Sequence, residues 1–294
     1  MTKPVNKAVF PMAGLGTRFL PVTRAIPKEM LPVVDKPLVQ WAVEEAASAG
    51  IEKFIFVTAP GKEAIEAHFG PTPVLDHALE EKGKTGLCEG SRALTELGAR
   101  ITCVLQPEPL GLGHAVWCTR EQVGDEPFAV LLPDDMILGK TPCLQQMMAA
   151  YGEVGGNVVA VENVPCKHTD RYGIVDPGNG TVSEETGALV PVKGLVEKPE
   201  PAKAPSTLSV IGRYILQPQV FEHLDRKTRG VDEEIQLTDA LAKMVDTLPF
   251  HGLRFSGERF DCGDKIGYLK ANMAFAHDRD ALRGAVSALC RTFA

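Results

Sequence analysis

The run Ala13-Gly14-Leu15-Gly16-Thr17-Arg18-Phe19-Leu20-Pro21, continuing to Pro27-Lys28-Glu29-Met30-Leu31-Pro32, follows directly on the apolar triplet Ala8-Val9-Phe10. The triplet reads as a buried strand. The glycines read as the turn at its carboxyl end, the edge where open α/β sheets bind ligands. Glycine there lets backbone N–H groups approach an anion, and a concavity of amides suits phosphate oxygens. Charge placement agrees: residues 1–28 hold Lys3, Lys7, Arg18, Arg24 and Lys28 and no Asp or Glu, in a chain of net charge −7. The dinucleotide fingerprint G-x-G-x-x-G fails, because Phe19 stands where its third glycine belongs, and the Walker pattern is absent. Taken alone, Gly-x-Gly after a strand serves a tight structural turn as readily as a phosphate cradle.

Outward from this turn, strand and helix patterns alternate. Asp35-Lys36-Pro37 predicts a helix start with Asp35 as the cap. Val39, Ala42, Val43, Ala46 and Ala49 recur at helical spacing, and Gly50 marks the stop. Phe54 to Val57 is the next strand, so the first fifty-odd residues form a βαβ unit with a parallel pair. Ile101 to Leu105, Phe128 to Leu132 and Val158 to Val161 are near-continuous apolar runs, expected as strands covered by helices on both faces. Gly173 to Leu216 is richer in short β runs and turns and predicts an antiparallel addition to the sheet. Lys265 to Ala281 reads as a final helix. No linker or repeat divides the chain, so one α/β domain over residues 1–294 is the simplest account.

Composition excludes several classes. The 294 residues are 44% hydrophobic and 23% charged, and a chain of this length buries roughly three quarters of its unfolded surface without staples. An acidic balance argues against general nucleic-acid or membrane-surface binding. The seven cysteines are scattered with no Cys-x-x-Cys pair, which suits buried thiols in a reducing compartment. No run reaches eighteen apolar residues, and the amino-terminal stretch is too broken for a signal peptide. A soluble, cytoplasmic protein is expected.

The long block around the first turn resembles the sugar-nucleotide pyrophosphorylases, whose signature is G-x-G-T-R-x-x-P-x-(T/S)-x-x-x-P-K. Within them the chain is most similar to the bacterial-type UTP–glucose-1-phosphate uridylyltransferase family. Further matching blocks are Gln106-Pro107-Glu108-Pro109-Leu110-Gly111-Leu112-Gly113-His114-Ala115 and Leu132-Pro133-Asp134-Asp135. They continue with Arg171-Tyr172-Gly173-Ile174-Val175, Val196-Glu197-Lys198-Pro199, Gly212-Arg213-Tyr214, Glu234 to Asp239, and Asp261-Cys262-Gly263. These blocks arrive in the family's order and span residues 7–277. Arg24 stands where the family usually has Lys, exchanging an ammonium for a fork-shaped guanidinium. The stretch Gly70 to Ala99 matches loosely, with Gly70-Pro71-Thr72-Pro73 where a helix usually begins.

The resemblance implies a Rossmann-like nucleotidyltransferase fold: a mixed, mostly parallel central sheet flanked by helices, with a smaller antiparallel β insertion. It also implies uridylyl transfer from UTP to glucose 1-phosphate, giving UDP-glucose and pyrophosphate. The chemistry of the blocks fits. A phosphate monoester has its second pKa near ~6, so the attacking oxygen is already largely ionised at neutral pH. The site must align attacker and leaving group and neutralise crowded negative charge, rather than supply a general base. By resemblance Arg18 and Lys28 lie against the triphosphate. Asp134 and Asp261 hold Mg²⁺, with Asp135 towards the substrate. Ala13, Gly14, Gly16 and Thr17 line the nucleotide, with Glu29 near the base. Gln106 and the loop carrying Gly111 read uracil, a side-chain amide matching the donor and acceptor of its imide edge. Glu197 and Lys198 divide the sugar phosphate between hydroxyls and phosphate, and Gly173 lets backbone approach the sugar ring. His114 is expected to order its loop rather than catalyse. Glu234 to Asp239 is expected as a cap and helix start with Leu237 buried. A homodimer or homotetramer is implied. The same chemistry with dTTP, and a non-catalytic nucleotide-sugar binder, are the competing readings; the retained Arg18, Lys28 and Asp134 count against the second.

Overall fold

The structure is a computed structural model and describes residues 2–178, 185–226 and 228–293. From the amino end the chain forms β1 (Lys7–Pro11), a small hairpin of β2 (Pro32–Val33) and β3 (Lys36–Pro37), α1 (Leu38–Ser48) and β4 (Lys53–Thr58). Three helices follow, α2 (Glu63–His68), α3 (Pro73–Glu81) and α4 (Thr85–Gly98), then β5 (Ile101–Leu105), α5 (Leu112–Trp117) and α6 (Arg120–Val123). Next come β6 (Phe128–Leu131), β7 (Asp135–Leu138), α7 (Cys143–Val154) and β8 (Asn157–Asn163). The β-rich stretch supplies β9 (Gly173–Asp176), β10 (Leu189–Pro191), β11 (Gly194–Glu197) and β12 (Leu208–Leu216). The chain continues through α8 (Val220–Leu224), α9 (Leu237–Ala242), β13 (Phe250–Arg254), β14 (Glu258–Asp261), α10 (Lys265–Asp278) and α11 (Asp280–Phe293). Residues 179–184, inside the expected β-rich stretch, lie outside the described residues.

The main sheet runs β10-β13-β8-β12-β6-β1-β4-β5, with β9 and β11 branching from β12. The half β6-β1-β4-β5 is wholly parallel, so these strands discharge their carboxyl ends at one edge. β12 runs antiparallel to β6 and β8, and β9 and β11 pair antiparallel as the expected insertion. Alternation sorts the core: Ala8 and Phe10 bury on one face with α1 and α7, while Val9 buries on the other with α5, α8 and α9. A third cluster joins Phe19, Leu31, Leu38 and Met136 to Phe260, Ala271 and Phe275. Phe19, the residue that breaks the dinucleotide fingerprint, is therefore an anchor: its ring meets Tyr268 edge-on at 5.5 Å. It pins the turn after β1 to α10, and burying such a side chain contributes roughly 1.5–3 kcal/mol.

Three local expectations change, and the loosely matching stretch from Gly70 takes a definite form. Asp35 does not cap α1, whose start at Pro37 has no side-chain cap. The β2–β3 hairpin delivers the chain to α1 already extended, and Asp35 instead meets Arg279 at 2.5 Å. β5 is an edge strand paired only with β4, and Leu105 is 55% exposed, so it is not covered on both faces. Pro73 opens α3, because proline is tolerated in a first turn where its missing N–H has no intrahelical partner. The expected final helix ends at Asp278: Arg279 is extended (φ −80°, ψ 123°) and α11 starts beyond it. Asp264 caps α10, accepting from the N–H groups of Ile266 (2.8 Å) and Gly267 (2.9 Å).

Candidate active site

The turn after β1 begins where Met12 N–H donates to the Val57 carbonyl at 2.8 Å, tying the exits of β1 and β4 together. Gly16 is left-handed at φ 65°. A Cβ there would also stand 3.1 Å from Lys28 Cβ and 3.2 Å from Thr23 Cγ2, so conformation and space both require glycine. Thr23 Oγ1 donates to the Gly16 carbonyl at 2.9 Å. The turn thus folds over Lys28, which is brought against the exit of the neighbouring strand β6. Its ammonium donates to Asp134 Oδ2 at 2.5 Å. Burial disfavours the charge of Lys28, but Asp134 and Glu29 outweigh it and hold the ammonium above the ordinary lysine value. Burial likewise pushes the Asp134 carboxyl up, yet Lys28 and Arg18 bring it below the usual aspartate value.

Beside Asp134 the β7–β14 pairing puts Asp135 opposite Asp261, and Cys262 N–H donates to the Asp134 carbonyl at 2.7 Å. The arrangement faces two carboxylates onto one gap. A Cβ added to Gly263 would fall 2.9 Å from Asp261 Oδ1, 3.2 Å from Arg18 Nη1 and 3.4 Å from Asp134 Oδ2. Glycine keeps that gap free of side chain, and its hard oxygen donors suit a small divalent cation. No group of three or more His, Cys, Asp or Glu suited to a metal occurs among the described residues. The two carboxylates that do meet at the gap, Asp134 and Asp261, are a donor set for an ion that completes its shell with substrate phosphates and water, the usual manner of Mg²⁺.

Asp135, expected towards the substrate, is held in place within the protein. It lines the same cavity, of about 220 Å³, and both oxygens also accept within the protein. Oδ1 accepts from Arg259 at 2.6 Å and Oδ2 from the Gly212 N–H at 3.0 Å. Burial pushes its carboxyl up against the pull of Arg259. Arg259 continues to Glu162 at 2.8 Å and lies 5.1 Å from the Tyr172 ring centre, so it braces the floor of the cavity.

On the opposite wall stand Gly173, Glu197 and Thr238. A Cβ on Gly173 would meet Thr238 Oγ1 at 2.8 Å and Glu197 Oε2 at 3.3 Å, so only glycine lets the carboxylate and hydroxyl sit together here. Burial raises the Glu197 carboxyl, and its hydrogen bond with Thr238 only partly opposes this. Lys198, left-handed at φ 45°, extends to Asp232 at 2.7 Å. Both line a connected recess of about 370 Å³ that also contains Arg18, Arg171 and Asp261.

Gln106 and Gly111 meet at the exit of β5: the buried Gln106 amide donates to the Gly111 carbonyl at 3.2 Å. Gly111 has φ 99°, and a Cβ on it would lie 2.7 Å from Glu234 Cβ. His114 is buried, with Nδ1 3.1 Å from the Glu108 carbonyl and 3.2 Å from Gln106 Nε2. Its other ring nitrogen, Nε2, lies 3.8 Å from Cys118 Sγ, and the ring stacks on Trp117 with centres 5.7 Å apart. Leu237 is buried at the start of α9, although Gln236 before it provides no side-chain cap. Ala13 and Gly14 lie in the turn beside Thr17, and Glu29 is buried beneath it, paired with Lys62 at 2.8 Å.

The structure thus brings Arg18, Lys28, Asp134 and Asp261 to one gap, and Glu197 and Gly173 to the wall across from it. Sequence reasoning gave no role to Lys62, Tyr172, Thr238, Asp232 or Arg259. For Lys62 a signal existed, a Pro-Gly-Lys turn directly after an apolar strand. Arg259 had none, because its partners are remote in sequence.

With this geometry, the family described as nucleotidyl transferase matches residues 7–278. A UTP–glucose-1-phosphate uridylyltransferase from Komagataeibacter xylinus is 48% identical over 270 residues, 92% of this chain and 93% of that protein. Among solved structures, a UTP-bound UGPase from Acinetobacter baumannii superposes with TM-score 0.88 at 41% identity, covering 98% of this chain and 99% of the other. A UDP-glucose pyrophosphorylase complexed with UDP-glucose gives TM-score 0.82 at 38% identity, covering 94% and 100%.

Proposed function

The chain belongs to the nucleotidyl transferase family, and on that premise we propose that it is a UTP–glucose-1-phosphate uridylyltransferase. It transfers the uridylyl group of UTP to α-D-glucose 1-phosphate, giving UDP-glucose and pyrophosphate. The observation that carries this reading is the convergence of Arg18, Lys28, Asp134 and Asp261 on one gap at the exits of parallel strands. Nearly full-length relatives of that name support it.

The sugar phosphate oxygen attacks the α-phosphorus in line as the bond to the pyrophosphate oxygen breaks, with no covalent intermediate. Because the attacking oxygen is already anionic, the residues position and neutralise rather than move a proton. Arg18 and Lys28 stabilise the departing pyrophosphate. The amides of Ala13, Gly14, Gly16 and Thr17 hold the nucleotide, Gln106 and Gly111 read the base, and Glu29 completes that pocket. Glu197 accepts from sugar hydroxyls, Lys198 answers the sugar's phosphate, and Gly173 admits the ring. Asp135, held by Arg259 and the Gly212 amide, faces the substrate from the floor of the cavity. Asp134 and Asp261 would hold Mg²⁺, which when bound neutralises the phosphates and orients them. The 1–294 chain works as one nucleotidyltransferase domain, in the cytoplasm, as a homodimer or homotetramer.

A competition of UTP against dTTP in a pyrophosphate-release assay with glucose 1-phosphate tests the assignment. Preference for UTP is expected; preference for dTTP would overturn it.

A further inference from the structure

Lys62 is a lysine only 8% exposed, and nothing in the reaction described above uses it. It follows the turn at the exit of β4, which Glu63 fixes by accepting from the Gly61 N–H at 3.0 Å. From there its ammonium reaches beneath the neighbouring exit of β1. It donates to the Met12 carbonyl and, at 2.8 Å, to Glu29 Oε2. The first contact fixes the backbone immediately before Ala13 and Gly14. The second fixes the carboxylate of Glu29, which is 1% exposed. Glu29 Oε1 is buried without a hydrogen-bond partner. A buried carboxylate oxygen left unpaired is costly and points to a donor that arrives with a ligand.

We propose that Lys62 is a positioning residue for the nucleotide. It aims Glu29 so that Oε1 faces a donor of the bound nucleoside, and it sets the backbone whose amides meet the phosphates. It also cancels the Glu29 charge, which would otherwise oppose an incoming triphosphate. The inference rests on the nucleotide binding at the turn after β1. Removing one member of a buried pair leaves the other uncompensated, whereas removing both does not. Loss of Lys62 alone therefore sets an unpaired carboxylate under an incoming polyanion.

The test is steady-state kinetics of wild type, Lys62→Met, Glu29→Gln and the double variant, with UTP and glucose 1-phosphate varied separately. Lys62→Met should raise KM for UTP about tenfold or more while KM for glucose 1-phosphate moves less than about twofold. The double variant should recover most of that loss, coming close to the UTP KM of Glu29→Gln alone, since both substitutions break the Lys62–Glu29 pair and only the Met12 contact is missing in addition. A merely structural role would move both substrates together and would not be rescued. An unchanged UTP KM in Lys62→Met, or effects of the two substitutions that simply multiply, overturns the inference. Should Lys62→Met fail to fold, the charge-balanced double variant is compared with Glu29→Gln, and a tenfold gap in UTP KM overturns it equally. Wild type that forms no UDP-glucose sinks the functional reading instead; calorimetric titration of the same variants with UTP then decides the role of Lys62.

Discussion

On the side proposed for the nucleotide, charged groups are matched within the fold by partners from different strand exits: Lys28 with Asp134, Glu29 with Lys62. On the side proposed for the sugar phosphate, Lys198 is matched by Asp232, whose side chain is 61% exposed. That carboxylate sits on a segment where Asp232 and Glu233 are both left-handed, at φ 59°. The first side is preset by two parallel strands and a phenylalanine anchor. The second is carried by the short antiparallel pair β9–β11 and a segment whose backbone is unfavourable for residues with a Cβ. A rigid site holds a polyphosphate in one geometry, while a looser one can exchange its internal anion for that of a substrate.

The largest effect is expected on the rigid side. Asp134→Asn removes one of the two carboxylates at the gap and leaves Lys28 without its nearest partner. Turnover at ordinary magnesium should fall on the order of 10²–10³-fold, with circular dichroism unchanged. Near-normal kcat would place the metal elsewhere and remove the asymmetry. On the looser side, Lys198→Ala should raise KM for glucose 1-phosphate by about 10–100-fold, the range of a charge-assisted hydrogen bond. KM for UTP should move less than about twofold. If the UTP constant changed most, the two halves would be exchanged.

Stability against pH separates Asp134 from Glu197 by sign. Asp134 binds its proton less tightly in the folded state, because Lys28 and Arg18 overcome the effect of burial. Its contribution is full above the unfolded aspartate value of 3.8 and is lost as pH falls through the lower folded value. Glu197 is raised by burial, so its ionisation opposes folding above the unfolded value of 4.5. In urea unfolding, Asp134→Asn should be less stable than wild type at pH 7, with the gap closing below about pH 3.8. Glu197→Gln should be more stable at pH 7, with the gain vanishing below about pH 4.5. Two variants shifted in the same direction at pH 7 would deny the contrast.

The rigid side was also the more legible in sequence. A strand followed by Gly-x-Gly, five cations without an acid, and a strand ending in Asp134-Asp135 are local patterns. Locality is what periodicity and spacing report. The misread positions depend on remote partners. Asp35 looks like a helix cap, but Arg279, 244 residues away, takes its carboxylate. Ile101 to Leu105 is as apolar as a central strand, and only the sheet order puts it at an edge. Nor do the neighbours of Asp135 in the chain announce its partners Arg259 and Gly212, which β14 and β12 bring to it. Nothing in Val231-Asp232-Glu233 announces left-handed backbone, because glycine is the residue that normally does so.

The smallest effect concerns that segment. On the proposed assignment Lys198 has two anions to choose from, the Asp232 carboxylate at 2.7 Å and the phosphate of an arriving sugar. An exposed ion pair contributes about 0–1 kcal/mol, so Asp232 competes weakly, by a factor of up to about five. Asp232→Asn keeps the size of the side chain and removes the competing charge. KM for glucose 1-phosphate should then fall two- to fivefold, with kcat and the UTP constant unchanged. Raising ionic strength should narrow the difference from wild type, since screening already weakens the exposed pair. A rise in KM would mean that Asp232 holds Lys198 in position for the phosphate, and the looser side would be preset after all.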